Sequence, residues 1–216
     1  KSNYSAKWKA VKQNRLKKHA EFLKTVPFCD FKVFDILLKN IPNHHILQIG
    51  NSSAIRYTQL FNINKTHKVF CNRGTSGIDG STSTAIGCAV VNNKPTTLIT
   101  GDLSFLYDSN GLWNNYIPKN FRIIVINNQG GGIFRILPGH KNTKNFETYF
   151  ETVHNLDARH LCRMYGFTYK SVAKDKALEY ALKDFFIEDE RPKLLEIFTP
   201  KDLNDEVLLS YFEYLK

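Results

Sequence analysis

Residues 97–128 read TLITGDLSFLYDSNGLWNNYIPKNFRIIVINN, and this stretch decides the fold. It holds two short apolar runs, 97–100 and 122–126, each closed by a polar pair: Gly101-Asp102 after the first, Asn127-Asn128 after the second. The run Ile123-Ile124-Val125-Ile126 is apolar on both faces of an extended chain. A strand covered by helices on both sides of its sheet requires that pattern.

Further runs of the same kind lie on either side, at 46–49, 69–71 and 194–198, with a possible edge strand at 169–172. Segments of helical character alternate with them, at 31–38, 54–61, 83–91, 110–116, 157–165, 174–186 and 202–214. The alternation predicts an α/β domain: a parallel sheet with helices on both faces, a three-layer α/β/α arrangement. The glycine-rich and polar loops all follow strand ends: Gly50-Asn51-Ser52-Ser53, Asn72-Arg73-Gly74, Gly101-Asp102 and Asn127-Asn128-Gln129-Gly130. Ligands of open parallel sheets bind outside those ends.

Asp102 and Asn128 on neighbouring strand ends would offer a carboxylate and an amide oxygen, and the Gly130 carbonyl a third ligand. A hard divalent cation, Mg²⁺ or Mn²⁺, takes such oxygens, and a diphosphate would complete its octahedron. Asp and Asn also cap helices routinely, so either pair alone would carry little weight. The loop NRGTSGIDG, 72–80, holds Gly74, Gly77 and Gly80 but is neither G-x-G-x-x-G nor a P-loop. Its Ile78 is placed to present an apolar side chain under a cofactor ring.

Composition sets the bounds. The chain has 216 residues, 42% of them hydrophobic and 23% charged, which suits one globular domain that buries its own core. No apolar run is long enough to span a bilayer, and the start lacks a signal-peptide stretch. Cys29, Cys71, Cys88 and Cys162 form no C-x-x-C pair, which argues against a thiolate zinc site and suits free, buried thiols in the cytoplasm. The net charge is +10, and residues 1–24 carry Lys1, Lys7, Lys9, Lys12, Arg15, Lys17, Lys18 and Lys24 against Glu21 alone. A basic module binding RNA or an acidic partner is one reading of that segment. The favoured reading is a solvated helix packed on the domain through Trp8, Val11, Leu16 and Phe22, with no nucleic-acid or membrane role. Because the first residue is Lys1 rather than Met, the expectation is a longer polypeptide, with 1–26 a helix and linker from an upstream domain and 27–216 the domain proper.

Gly-Asp, a βα unit and Asn-Asn together resemble the diphosphate-binding motif of thiamine-diphosphate enzymes. The loops 72–80 and 101–108, and the segment 127–138 with its glycine run, are similar to the MenD family of menaquinone-pathway synthases. Leu103-Ser104 stands where many members of the superfamily have glycine or alanine, and Gln129 where some have a third asparagine. The segment 147–154 is a weaker match, with Val153 inside a Thr-Pro-His pattern; Gly139-His140-Lys141 has no counterpart, which leaves the role of 139–144 open.

The resemblance implies thiamine diphosphate and Mg²⁺ as cofactors. Cofactor contacts would come from Ser76, Gly77, Ile78, Gly101, Asp102, Leu103, Ser104, Asn128, Gly130, Ile133 and Phe134. It implies 2-oxoglutarate and isochorismate as substrates, met by Ser52, Arg56, Arg73, Ile133, Phe134 and Leu137. The activating glutamate belongs to a separate pyrimidine-binding domain, so no catalytic residue is expected here and the chain alone should be inactive. A homodimer or homotetramer is implied, with sites between subunits. An acetolactate-synthase-like or 2-oxo-acid decarboxylase domain is the nearest rival.

Overall fold

The computed structural model describes residues 2–139 and 143–216. Six strands form one all-parallel sheet: β1 (Ile46–Ile49), β2 (Lys68–Cys71), β3 (Thr96–Gly101), β4 (Arg122–Asn127), β5 (Thr168–Val172) and β6 (Lys193–Phe198), in the order β2-β1-β3-β4-β6-β5. The strands expected from the apolar runs are all present, and residues 168–172 do form an edge.

Alternation along the strands divides the core in two, as the period of two requires. Leu47, Ile49, Ile99, Ile124, Ile126, Leu195 and Ile197 face one layer, built from α2 (Asp30–Asn40), α3 (Ser53–Thr58), α8 (Asp175–Phe185) and α9 (Asn204–Leu215). Leu98, Ile123, Val125 and Leu194 face the other, built from α4 (Ser81–Val91), α5 (Asp102–Tyr107), a 3₁₀ turn at Ser109–Leu112 and α7 (Arg159–Tyr165). Cys29 and Cys162 are buried and Cys71 and Cys88 half-buried, all as free thiols.

Strand order reverses between β1 and β3, because the chain steps from β1 outward to β2 and then back across to β3. Such a reversal opens a crevice at the carboxyl ends of the two strands. The strand ends are tightly apposed beneath it. A Cβ on Gly50 would lie 2.6 Å from Thr100 Oγ1, so only glycine fits at the end of β1.

Two expectations need correction. Residues 110–116 are not an α-helix; only their first three residues belong to a helical turn, the 3₁₀ turn Ser109–Leu112. The chain enters α5 directly at Asp102, whose carboxylate accepts the Leu103 N–H at 2.7 Å. The helix ends at Asp108, and that side chain turns away to accept the Ser83 N–H at 2.7 Å and Oγ–H at 2.6 Å at the start of α4. The second correction concerns α1 (Tyr4–Leu23). Only its last turns pack, through His19 and Phe22 against Phe31 and Tyr211. Trp8, Val11 and Leu16 stay exposed beside a groove of 270 Å³ shared with Leu60, Tyr211 and Leu215. The helix extends past α9, its main packing partner, so its first turns have little to pack on.

The amino end of the sheet holds a buried imidazole. His45 Nδ1 pairs with Thr97 Oγ1 at 2.9 Å, and burial lowers its pKa from 6.5 to about 4, with His67 and Arg122 adding to the effect. The folded-state pKa is depressed, so this neutral imidazole stabilises the fold fully above pH 6.5. That contribution is lost as pH falls from 6.5 towards 4, where the unfolded chain takes up a proton the folded one refuses. Chemical-denaturation curves across that range should therefore fall less steeply with acid for His45→Gln than for the native protein. Parallel curves would contradict this.

Candidate functional site

The loops at the reversal point enclose a cavity of 390 Å³. That is within the usual size range of small-molecule sites. Of the residues expected from sequence, Ser52, Arg56, Arg73, Ser76, Ile78, Gly101, Asp102, Leu103, Ser104, Asn128, Gly130, Ile133, Phe134 and Leu137 all line it. Gly77 does not; its carbonyl instead accepts the Asn51 amide at 2.6 Å. Of the segment 139–144, residues 140–142 lie outside the described residues.

Asp102 and Asn128 follow adjacent strands, since Gly101 pairs with Ile126 in the β3–β4 register. Asp102 Oδ2 accepts the Gly130 N–H at 3.0 Å, which ties the two loops directly together. His154 Nε2 lies 3.3 Å from the same oxygen, while its Nδ1 accepts the Leu156 N–H. Nε2 itself is buried and makes no hydrogen bond among the described residues. The Asn128 amide donates from Nδ2 to Asp30 at 2.9 Å. Its Oδ1 is buried and has no hydrogen-bond partner among the described residues. A buried acceptor left unpaired costs stability unless something else satisfies it.

A divalent cation fits here. Asn128 Oδ1 is a free oxygen on the same wall as a carboxylate, and the Gly130 carbonyl, though it accepts the Gly132 N–H at 3.0 Å, keeps a second lone pair. Among the described residues no group of three His, Cys, Asp or Glu side chains is arranged to hold a metal, so any cation at this cavity needs amide, backbone and ligand oxygens. Gly130 could not be another residue. Its φ is +152°, and a Cβ there would lie 2.6 Å from the Glu151 carbonyl oxygen.

Backbone strain gathers around the cavity. Ser52 sits at φ 66°, ψ −129° in the sharp turn from β1 into α3, and Ser76 and Gln129 also have positive φ. Non-glycine residues hold such angles only where the surroundings impose them. Asn51 supplies much of that constraint. Its Nδ2 donates to the carbonyls of Asn72 and Gly77 and its Oδ1 accepts from Arg73, which binds the 72–80 loop to the end of β1. Ser104 Oγ donates to the Ile78 carbonyl at 2.6 Å, fixing the same loop to α5.

One wall of the cavity is the short helix α6 (Ile133–Ile136), of which the sequence points to Ile133 and Phe134 as site residues without predicting a helix. Arg135 anchors it to the buried Glu151 through a two-pronged ion pair, and to Asp202 at 3.0 Å. Phe134 meets Phe150, in the π-helical turn Phe146–Phe150, edge to face.

Sequence reasoning missed Asp30, Asn51 and His154 as members of the site. Asp30, 1% exposed, binds Thr199 Oγ1 at 2.6 Å as well as Asn128, and burial raises its pKa to about 6. Its one sequence signal, an acid just before an apolar helix, is the ordinary mark of a helix start.

Residues 48–197 match the family model described as the thiamine pyrophosphate enzyme C-terminal TPP binding domain. The chain belongs to the thiamine pyrophosphate enzyme family. The match spans β1 to β6 and thus every loop of the cavity. Curated relatives agree with this. The chain is 55% identical over 96% of its length to a 2-succinyl-5-enolpyruvyl-6-hydroxy-3-cyclohexene-1-carboxylate synthase of Christiangramia forsetii, covering 36% of that protein. It is 57% identical over 99% of its length to the synthase of the same name from Flavobacterium psychrophilum, covering 39%. The chain thus spans a little over a third of these relatives. Among solved structures, benzoylformate decarboxylase from Polynucleobacter necessarius superposes with a TM-score of 0.66 at 20% identity, over 83% of this chain and 34% of that one, a likeness of fold.

Proposed function

We propose that this chain is the diphosphate- and metal-binding domain of a synthase that decarboxylates 2-oxoglutarate and adds the remaining four-carbon unit to isochorismate. One observation carries the reading. Identity of 53–57% to synthases of that name coincides with a cavity that joins Asp102 and Asn128 to two rim arginines, Arg56 and Arg73. Both substrates are carboxylates, and guanidinium groups at the mouth suit them.

In this reading Asp102, Asn128 and the Gly130 carbonyl hold Mg²⁺ or Mn²⁺ against the diphosphate. Ile78 supports the cofactor, and Ser76, Gly101, Leu103 and Ser104 shape the diphosphate end, while Gly77 acts only by holding the loop to Asn51. Ile133, Phe134 and Leu137 exclude water from the reacting face, and Ser52 and the arginines orient the substrate carboxylates. Thiamine diphosphate, when bound, supplies the electron sink for decarboxylation. The glutamate that activates the cofactor would come from a pyrimidine-binding domain, and a homodimer or homotetramer would complete the site. Residues 1–26 would link the two domains.

Arg73→Ala in the whole protein tests the substrate assignment. A charge-assisted contact of this kind contributes ~1.5–3 kcal/mol, so isochorismate turnover should fall about 10- to 100-fold. Thiamine-diphosphate affinity should change by less than about threefold, roughly within 0.7 kcal/mol. Equal losses in both would mean that Arg73 acts only through its bond to Asn51.

A further inference from the structure

The buried carboxylate of Asp30 has no part in the chemistry above, yet it touches the residue on which the metal site depends. It is the first residue of α2, and three other elements converge on it. Thr199, just past β6, donates to its Oδ1 at 2.6 Å. Asn128, just past β4, donates to its Oδ2 at 2.9 Å. Asn204, at the start of α9, accepts its backbone N–H at 2.8 Å. Asp30 itself forms part of the cavity wall.

An asparagine side chain has two ends of nearly equal shape, and only one of them can ligate a cation. Either end could point at the metal position, so something must choose. An ionised carboxylate accepts hydrogen bonds and donates none. Turning the Asn128 amide over would set Oδ1 against Asp30 Oδ2, exchanging an attraction for a repulsion inside a buried site. Asp30 cannot turn away to relieve that clash, because Thr199 holds its other oxygen. The result is the arrangement seen: Nδ2 faces Asp30, and Oδ1 is left buried with no partner among the described residues.

Resting on the metal-site reading above, we propose that Asp30 is a positioning residue that fixes the Asn128 amide with its oxygen presented to the divalent cation. Partners of this kind, one bond removed from a metal, typically set its affinity by 10- to 100-fold.

The test is a Mn²⁺ titration of the whole protein at saturating thiamine diphosphate, read by the electron paramagnetic resonance of free Mn²⁺. Asp30→Asn provides both a donor and an acceptor, so Asn128 loses its enforced orientation. Its Mn²⁺ affinity should fall by at least about tenfold. Combining Asp30→Asn with Asn128→Asp exchanges the partners. The new amide donates to the new carboxylate, which has no wrong end to present, so affinity should return to near the native value. Native affinity in Asp30→Asn would overturn the proposal, as would a loss that the exchanged pair does not recover. Should Asp30→Asn alone not fold, the exchanged pair still decides, because it must bind Mn²⁺ if orientation is what Asp30 provides. Asp102→Ala serves as the reference. If it keeps native Mn²⁺ affinity, the metal-site reading fails and this inference falls with it. If it loses Mn²⁺ while Asp30→Asn does not, only the inference about Asp30 fails.

Discussion

Asp102→Ala is expected to lose divalent-cation-dependent binding of thiamine diphosphate by ~100-fold or more, and turnover with it. Removing a direct ligand should cost at least as much as removing a neighbour of one, for which 10- to 100-fold is typical. The carboxylate also has a local role. It accepts the N–H groups of Leu103 and Gly130, so alanine would loosen the 128–130 loop as well. Asp102→Asn separates the two effects. It keeps an acceptor for the Gly130 N–H but loses the charge that a cation requires. Calorimetric titration of thiamine diphosphate with Mg²⁺ and with chelator should show both variants failing to gain affinity from the metal. A metal-dependent gain in Asp102→Asn equal to that of the native protein would assign Asp102 to loop support alone.

The second large effect is on stability. Glu196 in β6 is 1% exposed and accepts three hydrogen bonds: from Asn127 Nδ2 at 2.8 Å, the Ala158 N–H at 3.0 Å and the Tyr169 hydroxyl at 2.7 Å. Alanine would take the acceptor from the Ala158 N–H and from the half-buried Tyr169 hydroxyl, and leave Asn127 Nδ2 with only its bond to the Leu156 carbonyl. Each loss costs about 1–3 kcal/mol, so an allowance for relaxation leaves ~3–5 kcal/mol of destabilisation. For a domain of this size that is a drop of roughly 10 °C or more in the unfolding midpoint. Asn127, whose Oδ1 holds the Gln129 N–H at 3.1 Å beside Asn128, would lose one of its two side-chain anchors. Scanning calorimetry of Glu196→Ala checks this, and a midpoint within about 2 °C of native would show that water replaces the lost acceptor.

These two residues mark what the sequence makes legible and what it hides. Asp102 is readable because its meaning is local: a polar residue directly after an apolar strand, repeated at Asn128 after the next. The sheet was readable for the same reason, since burial on both faces writes itself as an unbroken apolar run such as Ile123–Ile126. Glu196 and Asp30 were not readable. Each sits among apolar residues and acts through partners up to 174 positions away, and no spacing rule links Asp30 to Asn128, Thr199 or Asn204. The misplaced helix at 110–116 has a local cause. The chain was expected to leave Gly101-Asp102 as a loop, whereas Asp102 begins the helix itself. Trp8, Val11 and Leu16 misled because their spacing matches a packed face, but it carries no information on whether a neighbour is there to pack against.

In the proposed site Asp102 and Asn128 hold the cation that anchors the cofactor's diphosphate. Crystals of the whole protein grown with Mn²⁺ and thiamine diphosphate would test it most directly, by the anomalous scattering of manganese. A single strong peak is expected at coordination distance from an Asp102 carboxylate oxygen, from Asn128 Oδ1 and from the diphosphate, with the Asn128 nitrogen still on Asp30. Cofactor bound with its diphosphate elsewhere, or manganese on other side chains, would contradict it.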